Sequence, residues 1–423
     1  MWFFSVIFNH LKLKLKTCPL NKRSSCHHEL SSCLLFWPTV CDQAGLETIT
    51  ISPTNSSSEF SFNVGKPQRF EANSVTYWRW KWVTVPATFT TGIYIYETYN
   101  RYGSEETQPA KNWQVAWYRF LPLKTLSRLW GWVHDLHLPE WSRSALLSLY
   151  VNIFGCDLSE AEEEDLKKYQ NLGEFFRRAL KVGARPIHED DLVSPSDGKV
   201  LHFGKIKCGE IEQVKGVAYS LPEFIGLPTW KQENNEQAPE INPQDPSLLL
   251  DCDKYSSYIS ERKDTSLYHL VVYLAPGDYH RFHSPADWTV HFRRHFAGDL
   301  LSVSPLVARL VRGLFSLNER VVYVGQWRHG FFSYTAVGAT NVGSIRIYID
   351  EELKTNYWKN RKGTQFEYTF PQPLDVRKGD VFGEFNLGST IVIIFEAPNN
   401  VEFSVKSGDR ILVGKPFLKI AQK

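Results

Sequence analysis

Beyond Arg185-Pro186 the chain breaks into short apolar runs separated by Gly, Pro, Asn and Asp, a pattern that limits this part to a mixed, mostly β fold. The runs are Lys199 to Ile206, Gln213 to Val217, Leu267 to Leu274, Arg320 to Val324, Ser344 to Ile349, Thr390 to Phe395 and Ile411 to Val413. Residues 231 to 247, rich in Gln, Asn, Glu and Pro, read as a surface insertion. Val376-Arg-Lys-Gly-Asp-Val-Phe-Gly383 and Lys406-Ser-Gly-Asp-Arg-Ile-Leu-Val-Gly414 look like two versions of one strand-turn-strand unit, which suits a small barrel-like C-terminal part. Ahead of this region, Asn112 to Lys181 is helical in pattern. Trp113 and Trp117 are spaced i, i+4, Leu126 to Trp132 is amphipathic, and Ser159-Glu-Ala-Glu162 reads as a capping box opening a charged helix. The expected class is α+β, with a helical segment over 112–182 and a β-rich domain over 183–423.

A net charge of only +2 over 423 residues excludes the basic surplus of a nucleic-acid binder, and a hydrophobic fraction of 43% excludes wholesale disorder. Eight of the fourteen Trp fall between Trp78 and Trp141, a crowding typical of chains that meet a membrane interface. Residues 1–75 form a leader whose first 41 residues carry Lys12, Lys14, Lys16, Lys22 and Arg23 against Glu29 alone, the composition of an organelle transit peptide. The alternation of Leu11 to Lys16 has strand rather than helix periodicity. Val83 to Tyr96 is uncharged but short of the roughly 20 residues of a spanning helix. With Trp78, Trp80, Trp82 and Tyr99 as belts, 76–102 is a candidate transmembrane anchor, and a buried segment of a soluble domain fits equally well. Cys18, Cys26, Cys33 and Cys41 match no common zinc spacing, and the odd total of seven is no disulfide framework, so no metal is expected.

Three constellations could hold chemistry. Asp278-Tyr-His-Arg-Phe-His283-Ser-Pro285 places His280 and His283 three apart after an apolar run, without the Glu of a zincin. Ser194-Pro-Ser-Asp-Gly198 is a turn sequence whose Asp197 carries a carboxylate. Phe385 to Phe395 leads through Gly388-Ser389-Thr390 into an apolar strand, where a serine hydroxyl must hydrogen-bond or react. Gly103-Ser104 and Gly343-Ser344 repeat the dipeptide without those surroundings, and no Gly-x-Ser-x-Gly elbow is present at Ser389.

In chain order, Ser194 to Lys199, Val214-Lys-Gly-Val-Ala-Tyr-Ser-Leu221, Asp278 to Pro285, Asn318-Glu-Arg-Val-Val322, Val337-Gly-Ala-Thr-Asn-Val-Gly-Ser-Ile345 and Leu387-Gly-Ser-Thr390 resemble the successive motifs of the phosphatidylserine decarboxylases. Asn171-Leu-Gly-Glu-Phe-Phe-Arg-Arg178 and Arg185-Pro-Ile187 are similar to that family's N-terminal helical motif, and the likeness, closest to the mitochondrial animal type, runs from about 112 to 418. Leu301-Ser-Val-Ser-Pro305 departs from it, with Ser304 where the family usually has Asn.

The resemblance implies that Ser389 attacks the Gly388 carbonyl through a five-membered ring, an intramolecular reaction of high effective molarity. β-Elimination and hydrolysis of the resulting ester leave a β chain ending at Gly388 and a 35-residue α chain, 389–423, that opens with a pyruvoyl group. His283 is implied as the base, oriented by Asp197 in a triad-like division of labour. The two chains stay together as a heterodimer, with a higher oligomer open. A Schiff base between the pyruvoyl carbonyl and phosphatidylserine in the membrane then loses CO₂, the electron-sink role that pyridoxal phosphate plays elsewhere, so neither that cofactor nor a metal is called for. His280 is the candidate proton donor with His283 the alternative, and Arg281, Arg293 and Arg294 are available to the lipid phosphate. The implied location is the mitochondrial inner membrane, with the catalytic domain facing the intermembrane space. A serine hydrolase using Ser389, His283 and Asp197 without self-cleavage is the competing enzyme reading, and a lipid-transfer or scaffold protein the non-enzymatic one.

Overall fold

The computed structural model describes residues 109–420, apart from 215, 232–249, 341–343 and 387–388. The leader, the candidate anchor and nearly all of the polar insertion lie outside the described residues. The expected helical segment opens with α1 (Asn112–Phe120), α2 (Leu123–Asp135) and α3 (Glu140–Phe154). Pro122 and Pro139 open α2 and α3, where a missing N–H costs no helical hydrogen bond. α3 stops at Gly155, whose left-handed φ of 65° lets its N–H close on the Val151 carbonyl.

The helix expected from Ser159 to Glu162 does not form. Asp157 Oδ1 accepts both the backbone N–H and the hydroxyl of Ser159, at 2.9 and 2.7 Å, and Ala161 bridges Leu180 instead of continuing a helix. Local side-chain bonds of this kind compete with helix formation. The capped helix comes later, as α4 (Leu172–Phe176), where Asn171 Oδ1 accepts from the Glu174 N–H and Glu174 reaches back to the Gln170 N–H, each at 2.7 Å.

The remaining elements are β1 (Gly198–Lys205), β2 (Glu210–Val214), β3 (Val217–Ser220), α5 (Leu221–Ile225), α6 (Cys252–Ile259), β4 (Thr265–Tyr273), β5 (Arg281–His283), β6 (Trp288–Phe296), α7 (Pro305–Leu310), α8 (Leu314–Leu317), β7 (Arg320–Trp327), β8 (Gly330–Val337), β9 (Ile345–Ile347), β10 (Gln365–Val376), β11 (Val381–Phe385), β12 (Thr390–Pro398), β13 (Val401–Phe403), β14 (Arg410–Ile411) and β15 (Leu418–Ile420). The expected run Gln213 to Val217 is a hairpin, β2 turning into β3. Eight strands form one antiparallel sheet in the order β10-β6-β7-β8-β12-β4-β1-β14, and β5-β11-β9 form a second, smaller sheet. The two C-terminal strand-turn-strand units do not close a small barrel. The turn of the first joins β10 of the large sheet to β11 of the small one, whereas the second supplies only the edge strand β14.

The large sheet is covered on both faces, which is why β12 has no polar alternation. Val392 and Ile394 pack with Val271, Phe224 and Phe315, whereas Ile391, Ile393 and Phe395 pack on the other side with Leu270, Tyr334 and Phe382. One charged residue interrupts this strand. Glu396 is fully buried and accepts the N–H groups of Glu261, Arg262 and Phe331 at 2.9, 2.8 and 2.9 Å, as well as the Thr265 hydroxyl. Glu396→Ala strands three backbone donors, so a loss of about 3 kcal/mol or more is expected as a lower urea midpoint; an unchanged midpoint contradicts this role.

Candidate active site

The three constellations meet at one strand end. Tyr273, the last residue of β4, pairs with Lys199 of β1 on one side and Thr390 of β12 on the other. The Ser194–Lys199 turn and Ser389 therefore flank the end of β4, and the chain leaving β4 carries the two histidines. Gly198 is required here, because a Cβ would lie 2.3 Å from the Tyr273 carbonyl oxygen. The His283 N–H donates to the Pro195 carbonyl at 2.7 Å, tying β5 to the Asp197 turn, and the Phe385 N–H donates to the His280 carbonyl at 3.0 Å.

Ser389 sits just before β12, and its carbonyl accepts the Leu274 N–H at 2.9 Å. Its side chain is fully buried and its Oγ has no hydrogen-bond partner among the described residues. Burying a hydroxyl without a partner costs free energy that a purely structural position would avoid with alanine. Ser344, which follows the other glycine, differs: its hydroxyl accepts from Asn386 Nδ2. Gly388 and Gly343 lie outside the described residues.

His280 is fully buried with its ring centroid 3.8 Å from that of Phe176. Its Nδ1–H donates to the Asp278 carbonyl at 2.7 Å, which fixes the tautomer and leaves Nε2 bare and without a partner. Burial drives its pKa down to about 3, so the ring is neutral. His283 is placed similarly: Nδ1–H donates to the Gly379 carbonyl at 2.8 Å, and Nε2 accepts from the Tyr279 hydroxyl at 3.2 Å. Burial lowers its pKa, against the opposing pull of the Gly379 carbonyl and the Asp197 charge.

Asp197 is close enough to act on His283 electrostatically but is not hydrogen-bonded to it. Its carboxylate takes Arg185 Nε at 3.0 Å, Arg185 Nη2 at 2.6 Å and the Val413 N–H at 2.8 Å. Arg185 also bonds Glu160 at 2.7 Å, linking the helical segment to the site. Arg293 and Arg294, expected as phosphate partners, are engaged inside the fold. Arg293 pairs with Asp350 at 2.9 Å, and Arg294 donates to the Ile225 and Leu227 carbonyls and to Glu367. Arg281 keeps its place at an open surface. With Arg177 and Arg346 it surrounds Glu384, at 3.8, 3.8 and 3.6 Å for Arg281, Arg177 and Arg346, in a polar cleft of about 690 Å³ whose wall also carries Asp135, Glu162, Glu163 and Glu174.

Arg185 and Tyr279 are the residues that sequence reasoning missed as parts of the site. Each stood inside a quoted motif, but neither has a spacing that reveals its partner. Among the described residues no cluster of His, Cys, Asp and Glu could hold a metal ion, and no helix is long and apolar enough to cross a membrane.

A buried serine at a strand start, a carboxylate turn and two tautomer-fixed histidines are thus gathered at one end of β4, as a candidate enzyme site requires. The phosphatidylserine decarboxylase family model matches residues 172–419, and the chain belongs to that family. It is 47% identical to the mitochondrial phosphatidylserine decarboxylase proenzyme of Pongo abelii over 335 residues, which cover 76% of this chain and 80% of the relative. It is 41% identical to mitochondrial proenzyme 1 of Schizosaccharomyces pombe, covering 77% and 86%, and 42% identical to mitochondrial proenzyme 1 of Arabidopsis thaliana, covering 70% and 72%.

Proposed function

We propose that this chain is a precursor that splits its own backbone between Gly388 and Ser389, and that the product decarboxylates phosphatidylserine to phosphatidylethanolamine. The buried Ser389 hydroxyl, with no hydrogen-bond partner among the described residues, carries this reading. Its Oγ bonds to the Gly388 carbonyl carbon while the amide C–N bond breaks, and His283 takes the hydroxyl proton. Elimination then breaks the ester Cβ–O bond; water enters and ammonia leaves, so that residue 389 becomes a pyruvoyl group. The site fits such a group, because Ser389 is enclosed and, among the described residues, no competing hydrogen bond holds its side chain. When present, the pyruvoyl supplies the electron sink for loss of CO₂.

The chain's own residues do the rest. His280 handles the proton at the reacting carbon, Asp197 and Arg185 hold the turn against β4, and Arg281, Arg177 and Arg346 offer cations to the lipid phosphate across the cleft. α1 to α3 turn Trp113, Trp117, Phe120, Trp132 and Trp141 outward, a set suited to a bilayer interface and therefore to a substrate that resides there. The two product chains remain paired through β12 and β4. The relatives' names point to mitochondria, and the basic leader agrees, with the inner membrane and its intermembrane-space face as the proposed site of action. Family membership favours this reading over a serine hydrolase. Purified protein given phosphatidylserine vesicles is expected to release CO₂ and phosphatidylethanolamine in equal amounts. Release of free serine or fatty acid instead overturns the reading.

A further inference from the structure

The nitrogen of His283 that must accept the Ser389 proton is already occupied in this structure. Because the Gly379 carbonyl can only accept, His283 Nδ1 carries the ring proton and Nε2 presents its lone pair. That lone pair faces the Tyr279 hydroxyl at 3.2 Å, and the hydroxyl therefore donates to it. Tyr279 is held in place four residues earlier in the chain, 5% exposed, with its ring centroid 5.8 Å from that of His283. Burial raises the pKa of Tyr279, so its hydroxyl keeps its proton and stays a donor.

We infer that Tyr279 is a positioning residue that latches His283: its hydroxyl caps the base nitrogen in the uncleaved chain and must swing away before Ser389 can be deprotonated. This rests on the reading of His283 as the base for self-cleavage. The charged groups acting on His283 are Asp197 from the turn before β1, Arg185 from the segment before that turn, and Arg281 from its own strand β5. None of them occupies Nε2.

The latch has a specific signature. A donor to bare Nε2 stabilises the neutral ring, so removing it raises the pKa of His283 and also frees the base. Tyr279→Phe should therefore cleave about fivefold faster on the pH plateau, the worth of one ordinary hydrogen bond. The acid limb should move to higher pH by the same factor, so that the two rate profiles merge below both midpoints. Cell-free synthesis of the full chain across a pH series, with precursor and product followed by electrophoresis, gives both readouts. A plateau that is slower or unchanged, with an unmoved limb, overturns the latch. A second measurement stands even if the variant cleaves poorly. In the full chain carrying Ser389→Ala, which cannot cleave by this route, the His283 ring is titrated by NMR with and without Tyr279→Phe. The latch requires a higher midpoint without the hydroxyl, and an equal or lower midpoint refutes it. If His283→Ala cleaves normally, the base assignment fails, whereas the NMR midpoint still tests the contact itself.

Discussion

Ser389→Ala is expected to run as one unbroken chain and to form no phosphatidylethanolamine. Alanine retains the backbone and Cβ but lacks the oxygen that attacks Gly388, and no other hydroxyl precedes β12 at that point. The loss should be chemical and not a failure to fold. Ser389 Oγ is buried with no partner among the described residues, so replacing it with a hydrogen on Cβ removes a desolvation cost and is expected to leave the variant at least as stable as the parent. The urea midpoint of Ser389→Ala against a parent held uncleaved checks that control. Intact, active Ser389→Ala protein would remove the basis of the proposed mechanism.

His280→Gln and His283→Gln are expected to separate the two reactions. His283 is tied by its N–H to the Asp197 turn and is the proposed base for cleavage, so its loss should leave the precursor whole. His280 should be dispensable for cleavage but required for turnover, with decarboxylation down by about 100- to 10,000-fold, the usual worth of general acid–base catalysis. Its geometry dictates how it works. The neutral ring, with Nδ1–H tied to Asp278 and a bare Nε2, cannot donate a proton until it has received one. In the proposed cycle Nε2 must therefore first take up a proton before it can return one to the carbon that loses CO₂. Mass spectrometry of the His280→Gln protein and a turnover assay on the same sample test this. Cleaved and fully active His280→Gln protein excludes His280, and uncleaved protein shows that the two histidines share one role.

The strands were legible in the sequence because burial on both sheet faces removes polar alternation. Thr390 to Phe395 and Leu267 to Leu274 correspond to β12 and β4 within a few residues. The turn that replaces the helix expected after Ser159 was not legible, because Asp157 bends the backbone through a local contact that a capping pattern does not reveal. The candidate residues could be named from ordered motifs, but their hydrogen bonds could not. Asp197 is bound by Arg185, 12 residues away, and by the Val413 N–H, 216 residues away, and no spacing rule predicts either. Arg293 and Arg294 show the reverse failure. As cations they were available to a phosphate, whereas β6 is an inner strand, Arg293 is paired with Asp350 and Arg294 is held by Glu367 and the end of α5.

The proposed self-cleavage stands or falls on what residue 389 becomes. The intact mass of the purified active enzyme's small chain reports the position of the break and its chemistry together. The expected result is a fragment of residues 389–423 lighter by one ammonia than the same peptide with an ordinary N-terminal serine. An active protein whose chain is unbroken at Gly388, or whose fragment begins with unmodified serine, contradicts it.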